Sequence, residues 1–332
     1  MARYFVTGAT GFVGGRLVTQ LRQAEHQVVT IARDPARTEG LQALGVDVRR
    51  GDVLDPASLS EPMAGCDGVF HLAGWYKVGV RSAGAGDRIN VDGTRNVLEC
   101  MRRLRIGRGV YTSTLAVHGN TRGRLVDETH RSNGPFESRY DRSKWRAHYE
   151  VAVPMMRAGL PLVIVMPGLV YGPGDTSSVR TTLIRYLTRQ LPLVPAWSGY
   201  SWAHVDDVAR GHVLGMERGR PGECYHLAGP AATLLEALTL AERLTGIPRP
   251  RVVAPPWLLR TLSALMTPVA WVAPIEGDYH PETLRVMAGV TYQGRADKAK
   301  RELGWTPRGL DAGLRETLLN EMFLLGMAPP AG

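Results

Sequence analysis

A chain of 332 residues with 44% hydrophobic and 21% charged positions is ordinary for a soluble globular protein, long enough for a large core with a smaller domain attached. The formal charge of +9 would draw polyanions, yet the arginines are scattered, with only short clusters such as Arg102, Arg103 and Arg105 and no DNA-binding motif, so no nucleic-acid partner is expected. Cys66, Cys100 and Cys224 are odd in number and lack CxxC spacing, which excludes a disulfide framework and a thiolate metal site and fits a reducing cytoplasm.

In chain order, short β-branched runs alternate with helical patterns. The strand-like segments are RYFVTG (3–8), QVVTIA (27–32), VDVRRGD (46–52), GVFHLAG (68–74), RGVYTST (108–114) and LPLVIVMPG (160–168). Between the first two, Phe12, Val13, Leu17, Val18 and Leu21 recur at helical spacing. The alternation predicts an α/β fold, a doubly wound parallel sheet of Rossmann type with helices on both faces and ligands at the carboxyl ends of the strands. After Gly172 the pattern changes and prolines and tryptophans become frequent; one further helix and strand, VDDVARGHVLGMERG and CYHLAG, return to the sheet. The expected division is therefore a dinucleotide-binding domain over 1–170, rejoined by 203–228, and a C-terminal substrate-binding domain over 171–202 and 229–332.

The N-terminus reads as a strand and a glycine turn rather than a signal peptide. No apolar run approaches the roughly 20 residues that span a bilayer, so no integral membrane segment is expected. The nearest approach, 252–274, is interrupted by prolines and Arg260; it reads as a helix and loop of the substrate domain, with lying on a membrane surface as the alternative.

TGATGFVGG places Gly8, Gly11 and Gly14 directly after the first strand, where a helix opens. Glycine permits the tight turn and close approach of a pyrophosphate, and the helix N-terminus offers free N–H donors to its charge. At the end of the second strand an acidic group would select a ribose 2′-hydroxyl and an arginine a 2′-phosphate. IARDPAR offers both, in Arg33, Asp34 and nearby Arg37, and the order favours NADP over NAD through Arg33. Asp52, followed by Val53, would set a carboxylate beside the adenine, although Asp52 also suits a cap. Leu72, Ala73 and Gly74 end the fourth strand, where small residues let a cofactor lie against the sheet edge.

YDRSK raises a sharper question, because the chain has only four lysines, Lys77, Lys144, Lys298 and Lys300. Tyr140 and Lys144, four apart, share one face of a helix. A phenol with a pKa near 10 needs its anion stabilised by about three units, roughly 4 kcal/mol, to exchange a proton near neutrality. An ammonium group close by, assisted by an oxidised nicotinamide, has the right sign, and the pair becomes a proton-transfer unit.

With these motifs on the page, the chain resembles the extended short-chain dehydrogenases/reductases, the NAD-dependent epimerase/dehydratase family. The resemblance covers nearly the whole chain and rests on TGATGFVG (7–14), GD (51–52), HLAG (71–74), NVDGT (90–94), YTSTLAVHG (111–119), YDRSK (140–144), PGLVYGPGD (167–175) and HVDDVA (204–209). It implies Tyr140 as general acid/base, Lys144 as its electrostatic partner and holder of the nicotinamide ribose, and Thr114, at a position usually serine, as the hydroxyl on the reacting oxygen. Ser113 is the runner-up. It adds Thr10, Phe12, Val13, Pro167 and Gly168 to the cofactor contacts, and Asn90 as the asparagine that steadies the local helix, with a simple cap as the alternative. It also implies a homodimer. His118 replaces a residue that is often tyrosine and is expected to alter the substrate pocket. No metal is expected, and His204 reads as structural.

Members acting on nucleotide sugars carry an asparagine and an arginine where this chain has Leu169 and Met166, and a further arginine where Tyr200 stands. Those substitutions remove hydrogen-bond and charge partners of a sugar diphosphate. Trp197, Trp202, Trp257, Leu258 and Trp271 read individually as core, and together with ARDP, which resembles the dihydroflavonol-reductase-like branch, as an apolar pocket. The expected activity is reversible hydride transfer between NADP(H) and a small apolar or aromatic carbonyl or secondary alcohol. The alternative is an NAD-dependent sugar or nucleotide-sugar epimerase/dehydratase, and a non-catalytic dinucleotide sensor has no use for Tyr140, Lys144 and Thr114.

Overall fold

Strands of a parallel sheet are buried on both faces, so they are written as unbroken apolar runs. LVIVMP and GVFH are buried at every position and QVVTIA at its four central ones, whereas DVRR at the sheet edge is half-buried to exposed. The computed structural model describes residues 1–80 and 84–328. Its strands are β1 (Arg3–Thr7), β2 (Gln27–Ala32), β3 (Asp47–Arg50), β4 (Gly68–His71), β5 (Gly109–Thr112), β6 (Leu162–Pro167), β7 (Leu169–Tyr171), β8 (Val194–Pro195), β9 (Gly199–His204), β10 (Cys224–Leu227), β11 (Ala231–Thr233), β12 (Val253–Ala254) and β13 (Thr291–Tyr292).

Seven strands form one parallel sheet in the order β10-β6-β5-β4-β1-β2-β3. The order reverses between β1 and β4, the crevice where an open α/β sheet receives its ligand. Register brings Thr7 beside His71 there. Thr7 Oγ1 lies 2.7 Å from His71 Nδ1 and accepts from the Ala73 N–H at 3.2 Å, while His71 Nε2 lies 3.0 Å from Thr94 Oγ1. Burial pushes His71 down to about 3, so this imidazole is a neutral strut that fixes the chain leaving β4.

A second sheet is built around β9, which pairs with β11 and β13 at its start and with β7 at its end. β8 and β12 make a separate parallel pair. The main core gathers Phe5, Leu17, Phe70, Met101 and Val163 around the large sheet and takes in Leu303 and Trp305 from near the C-terminus. A smaller core joins Tyr171, Tyr186, Trp202, Leu238 and Leu314.

Two helices near the crevice contain a wide turn. One runs from Arg139 to Arg146, widens over Ala147–Ala152 and ends at Arg157; Pro154 has no N–H to give the ladder, and the wide turn accommodates that loss. Ser138 caps it, its Oγ accepting from the Asp141 N–H at 3.1 Å. The other widens over Asp87–Asp92 before continuing as Gly93–Arg103. Among the described residues no helix is long and apolar enough to cross a membrane.

Candidate active site

The turn after β1 has no room for side chains. Gly8 has φ +75, in the left-handed region, and a Cβ there would lie 2.7 Å from the Ala73 backbone nitrogen; one on Gly14 would lie 2.0 Å from the Gly8 oxygen. The Gly11 N–H closes the turn on the Gly8 carbonyl at 2.9 Å. Gly11 then precedes the helix Phe12–Gln23 without any side-chain cap, and no acidic residue stands in the first turn, so the opening N–H groups are available to a phosphate. Thr10 and Gly11 are exposed at this opening, and Phe12 and Val13 are half-buried beside it. This is a cradle of the shape and polarity that a pyrophosphate requires.

The other expected cofactor contacts rim the same crevice. Leu72, Ala73 and Gly74 follow β4, and a Cβ on Gly74 would stand 3.2 Å from Asn90 Oδ1 and 4.0 Å from Lys144 Nζ. Asp52 makes a local turn, Oδ1 accepting from the Leu54 N–H at 2.9 Å; Val53 is buried, and its carbonyl accepts from Asn96 Nδ2 at 2.9 Å. Arg33 and Asp34 are exposed just beyond β2, and Asp34 caps the turn Pro35–Arg37, accepting from the Ala36 N–H at 3.3 Å. The Arg37 side chain lies outside the described residues. Pro167 is buried at the end of β6, and Gly168 passes so close to β9 that a Cβ would meet the Ser201 oxygen at 2.1 Å.

Tyr140 and Lys144 project toward the sheet from their shared helix. Tyr140 faces the Thr114 side chain, and burial, opposed by that hydroxyl, pushes its phenol up to about 12. Lys144 Nζ donates to the Thr112 carbonyl at 2.8 Å and to Tyr111 Oη at 3.4 Å, and its ammonium sits 5.0 Å from the centre of the Tyr111 ring. Burial without a carboxylate partner lowers it to about 7. Asn90 locks this arrangement: Oδ1 accepts from the Trp75 N–H at 2.7 Å, and Nδ2 donates to the Trp75 carbonyl at 3.0 Å and to Ser143 Oγ at 2.8 Å. Ser143 in turn donates to the Tyr140 carbonyl at 2.9 Å. A cavity of about 370 Å³ opens over Tyr140, walled by Trp75, Val80, Asp87, Arg139 and Arg142.

That assembly can be set beside known proteins. The model of the NAD dependent epimerase/dehydratase family matches residues 4–228, more than half of the chain. The chain belongs to this family, the extended short-chain dehydrogenases/reductases. A putative dihydroflavonol 4-reductase from Synechocystis is 37% identical over 78% of this chain and 77% of its own, and the sterol demethylase protein B of Methylococcus capsulatus is 30% identical over 94% and 96%. Among solved structures, that of gox2253 superposes with a TM-score of 0.85 at 28% identity, covering 99% of this chain and all of its own. Membership makes the protein an NAD(P)-dependent enzyme of the dehydrogenase/reductase type.

Within the family pattern, several expectations change. Ser113 does not face Tyr140: it is buried, its Oγ 2.8 Å from His148 Nδ1, which leaves Thr114 as the hydroxyl beside the phenol. His118 does not line the cavity. It is buried with Nε2 2.8 Å from Nε2 of His226, and burial holds both imidazoles down near about 3. Asn90 is a three-bond connector rather than a cap. Of the four tryptophans expected in the pocket, Trp202 is core, edge-on to Tyr171; Trp197, Trp257 and Trp271 are exposed, as is Leu258, so none of these exposed four builds a pocket. His204 caps the helix that follows β9, accepting from the Asp206 N–H at 3.3 Å.

The sequence reading missed residues that surround Tyr140 from afar. Ala116, Val290 and Tyr292 form an apolar cluster against which Tyr140, Tyr200 and Val286 pack. Tyr292 Oη donates to Asp141 Oδ2 at 2.7 Å, and burial raises that carboxyl to about 6. Position 292 lies 152 places from Tyr140, and the only local signal was Asp141 itself, a carboxylate on the inward side of YDRSK.

Proposed function

We propose that the chain is an NADP(H)-dependent reductase of apolar carbonyl compounds, working reversibly on the corresponding secondary alcohols. The observation that carries this reading is the apolar cluster around the Tyr140 phenol, formed by Ala116, Tyr200, Val286, Val290 and Tyr292. All but Ala116 come from 171–202 and 229–332, which supports assigning those segments to the substrate. Of the cations lining the cavity, Arg139 pairs with Glu282 at 3.3 Å and Arg142 with Asp87 at 3.3 Å, while Lys77 lies over the Trp75 ring. A sugar diphosphate would have to displace these pairs, whereas a carbonyl on an apolar skeleton would not. The two relatives named above carry names of a flavonoid and a sterol enzyme, which accords with such a skeleton.

In this reading the glycine cradle of Gly8, Gly11 and Gly14, with Thr10, Phe12 and Val13, holds the pyrophosphate. Asp52 and Val53 flank the adenine, and Leu72, Ala73, Gly74, Asn90, Pro167 and Gly168 border the remaining length. The nicotinamide, when bound, supplies the hydride to the carbonyl carbon or accepts it from the alcohol. Thr114 donates a hydrogen bond to the substrate oxygen and orients it. Tyr140 delivers its proton to that oxygen as the carbonyl double bond is reduced, and takes it back in the reverse direction. Lys144 places positive charge behind the phenol and holds a ribose hydroxyl. Three free thiols, two of them buried, are consistent with a reducing cytoplasm.

Arg33 stands at the mouth of the crevice as the partner of the 2′-phosphate. Titration with NADPH and NADH is expected to favour NADPH, and Arg33→Ser to weaken NADPH about tenfold with NADH nearly unchanged. A panel of aldehydes, ketones and nucleotide sugars, followed at the reduced-nicotinamide absorbance, tests the substrate class. Net oxidation of NADPH by apolar carbonyls supports the reading. Tightly held NAD with redox-neutral conversion of a sugar refutes it.

A further inference from the structure

The helix Pro256–Val272, about 26 Å long at 1.5 Å per residue, spends only one side on protein contacts. Leu259 and Ser263 are buried and Leu262 and Met266 half-buried, packed toward Leu284 and Ala288 on the helix Pro281–Met287 side. The opposite side is apolar and open: Trp257 is 67% exposed, Leu265 64%, Trp271 78% and Val272 85%, with Leu258 and Val269 between them. A contiguous exposed apolar stripe of this kind marks an interaction surface, not a core.

Its charges identify the partner. From Arg243 to Ile275 the sequence contains no Asp or Glu, while Arg243, Arg249, Arg251 and Arg260 are all cationic. Arg249 lies 3.8 Å from Glu242, but Arg251 and Arg260 are exposed and form no ion pair among the described residues. Beyond the helix come Glu276, which is not without a partner, and Asp278, held by Arg185. A second copy docking across a two-fold axis would bring like charges together. An anionic lipid surface satisfies both halves of the pattern: tryptophans at either end of the stripe suit the headgroup boundary, leucine and valine the acyl region, and arginines the lipid phosphates.

We propose that the outward face of the helix Pro256–Val272 docks the protein on an anionic lipid surface, lying in its plane without crossing it. The helix is tied to the cavity wall: Ser263 Oγ donates to the Pro281 carbonyl at 2.9 Å, Glu282 on the next helix pairs with Arg139 beside Tyr140, and the Gly277 N–H bonds the Gly79 carbonyl at 3.2 Å. Docking therefore engages the element adjoining the cavity mouth. The inference is independent of the substrate assignment, because vesicle binding is measured without any substrate.

The experiment is co-sedimentation of the full chain with vesicles of phosphatidylcholine alone or with about a third phosphatidylglycerol, alongside tryptophan emission and sedimentation velocity. The expected result is binding to the anionic vesicles with a blue-shifted emission. It should weaken about tenfold or more in Leu265→Ser/Trp271→Ser, while Arg251→Glu/Arg260→Glu abolishes the preference for anionic lipid. Circular dichroism and the thermal midpoint verify that each variant is folded, and the surface arginine variant decides if the apolar one is not. Failure of the wild type to bind either vesicle overturns the proposal, as does binding that neither pair of substitutions changes. A dimer that the Leu265/Trp271 substitutions dissociate, with no vesicle binding, overturns it in favour of a second copy.

Discussion

Tyr140→Phe is expected to lower turnover by about 10³-fold or more while leaving the dinucleotide dissociation constant within about threefold. The substitution keeps the ring that packs against the cluster of Ala116, Val290 and Tyr292 and removes only the hydroxyl that faces Thr114. Its effect on folding is accordingly small, about 1 kcal/mol or less. Because burial holds the phenol up at about 12, it is protonated near neutrality and already in the form that donates to a carbonyl. Proton abstraction from an alcohol needs the phenolate, so the oxidation rate should climb as pH rises through the alkaline range while reduction stays flatter. Steady-state rates in both directions between pH 6 and pH 10, on wild type and variant, check this; undiminished turnover by the variant removes Tyr140 from the reaction.

Lys144→Met should separate activity from stability in the opposite sense. Turnover is expected to fall about 10²- to 10³-fold, since the charge beside the phenol disappears, yet the protein should unfold at a higher temperature than wild type near neutral pH. The lysine is buried with no carboxylate, and its folded pKa is lowered from 10.5 to about 7. Below about 7 both folded and unfolded chains bind the proton and the burial penalty is fully present. Between about 7 and 10.5 the unfolded lysine keeps a proton that the folded one has released, so raising the pH relieves the penalty by up to about 1.4 kcal/mol per unit. The stability advantage of the methionine variant should therefore shrink as pH rises across that window. Thermal unfolding from pH 6.5 to pH 9.5 measures it, and an advantage that grows with pH refutes the assignment.

The sheet was legible because its central strands are short runs that apolar burial on two faces requires, and the turn after β1 because a Cβ at Gly8 or Gly14 has nowhere to go. Tyr140 and Lys144 were legible from helical spacing together with their place one strand and one loop after YTSTLAVHG in a chain that carries the glycine turn. Thr114 was preferred to Ser113 through the resemblance and not through spacing: neighbours at a strand end point to opposite faces, and which face meets Tyr140 depends on how a distant helix packs. Tyr292 and Asn90 act through bonds to residues far along the chain, which periodicity does not encode. The tryptophans failed for another reason. Composition reports that a segment is apolar, and only packing shows that Trp257 and Trp271 are largely exposed.

The His118–His226 contact has an evolutionary corollary. Two neutral imidazoles sharing one Nε2–Nε2 hydrogen bond must adopt opposite tautomers, one donating where the other accepts. Exchange either ring for a hydrocarbon and its mate is stranded in the interior with a polar atom that nothing serves; exchange both for a well-packed apolar pair and the debt vanishes. The route from one solution to the other thus passes through a weakened ancestor, so positions 118 and 226 should be inherited as a unit and change together across descendants of this sequence.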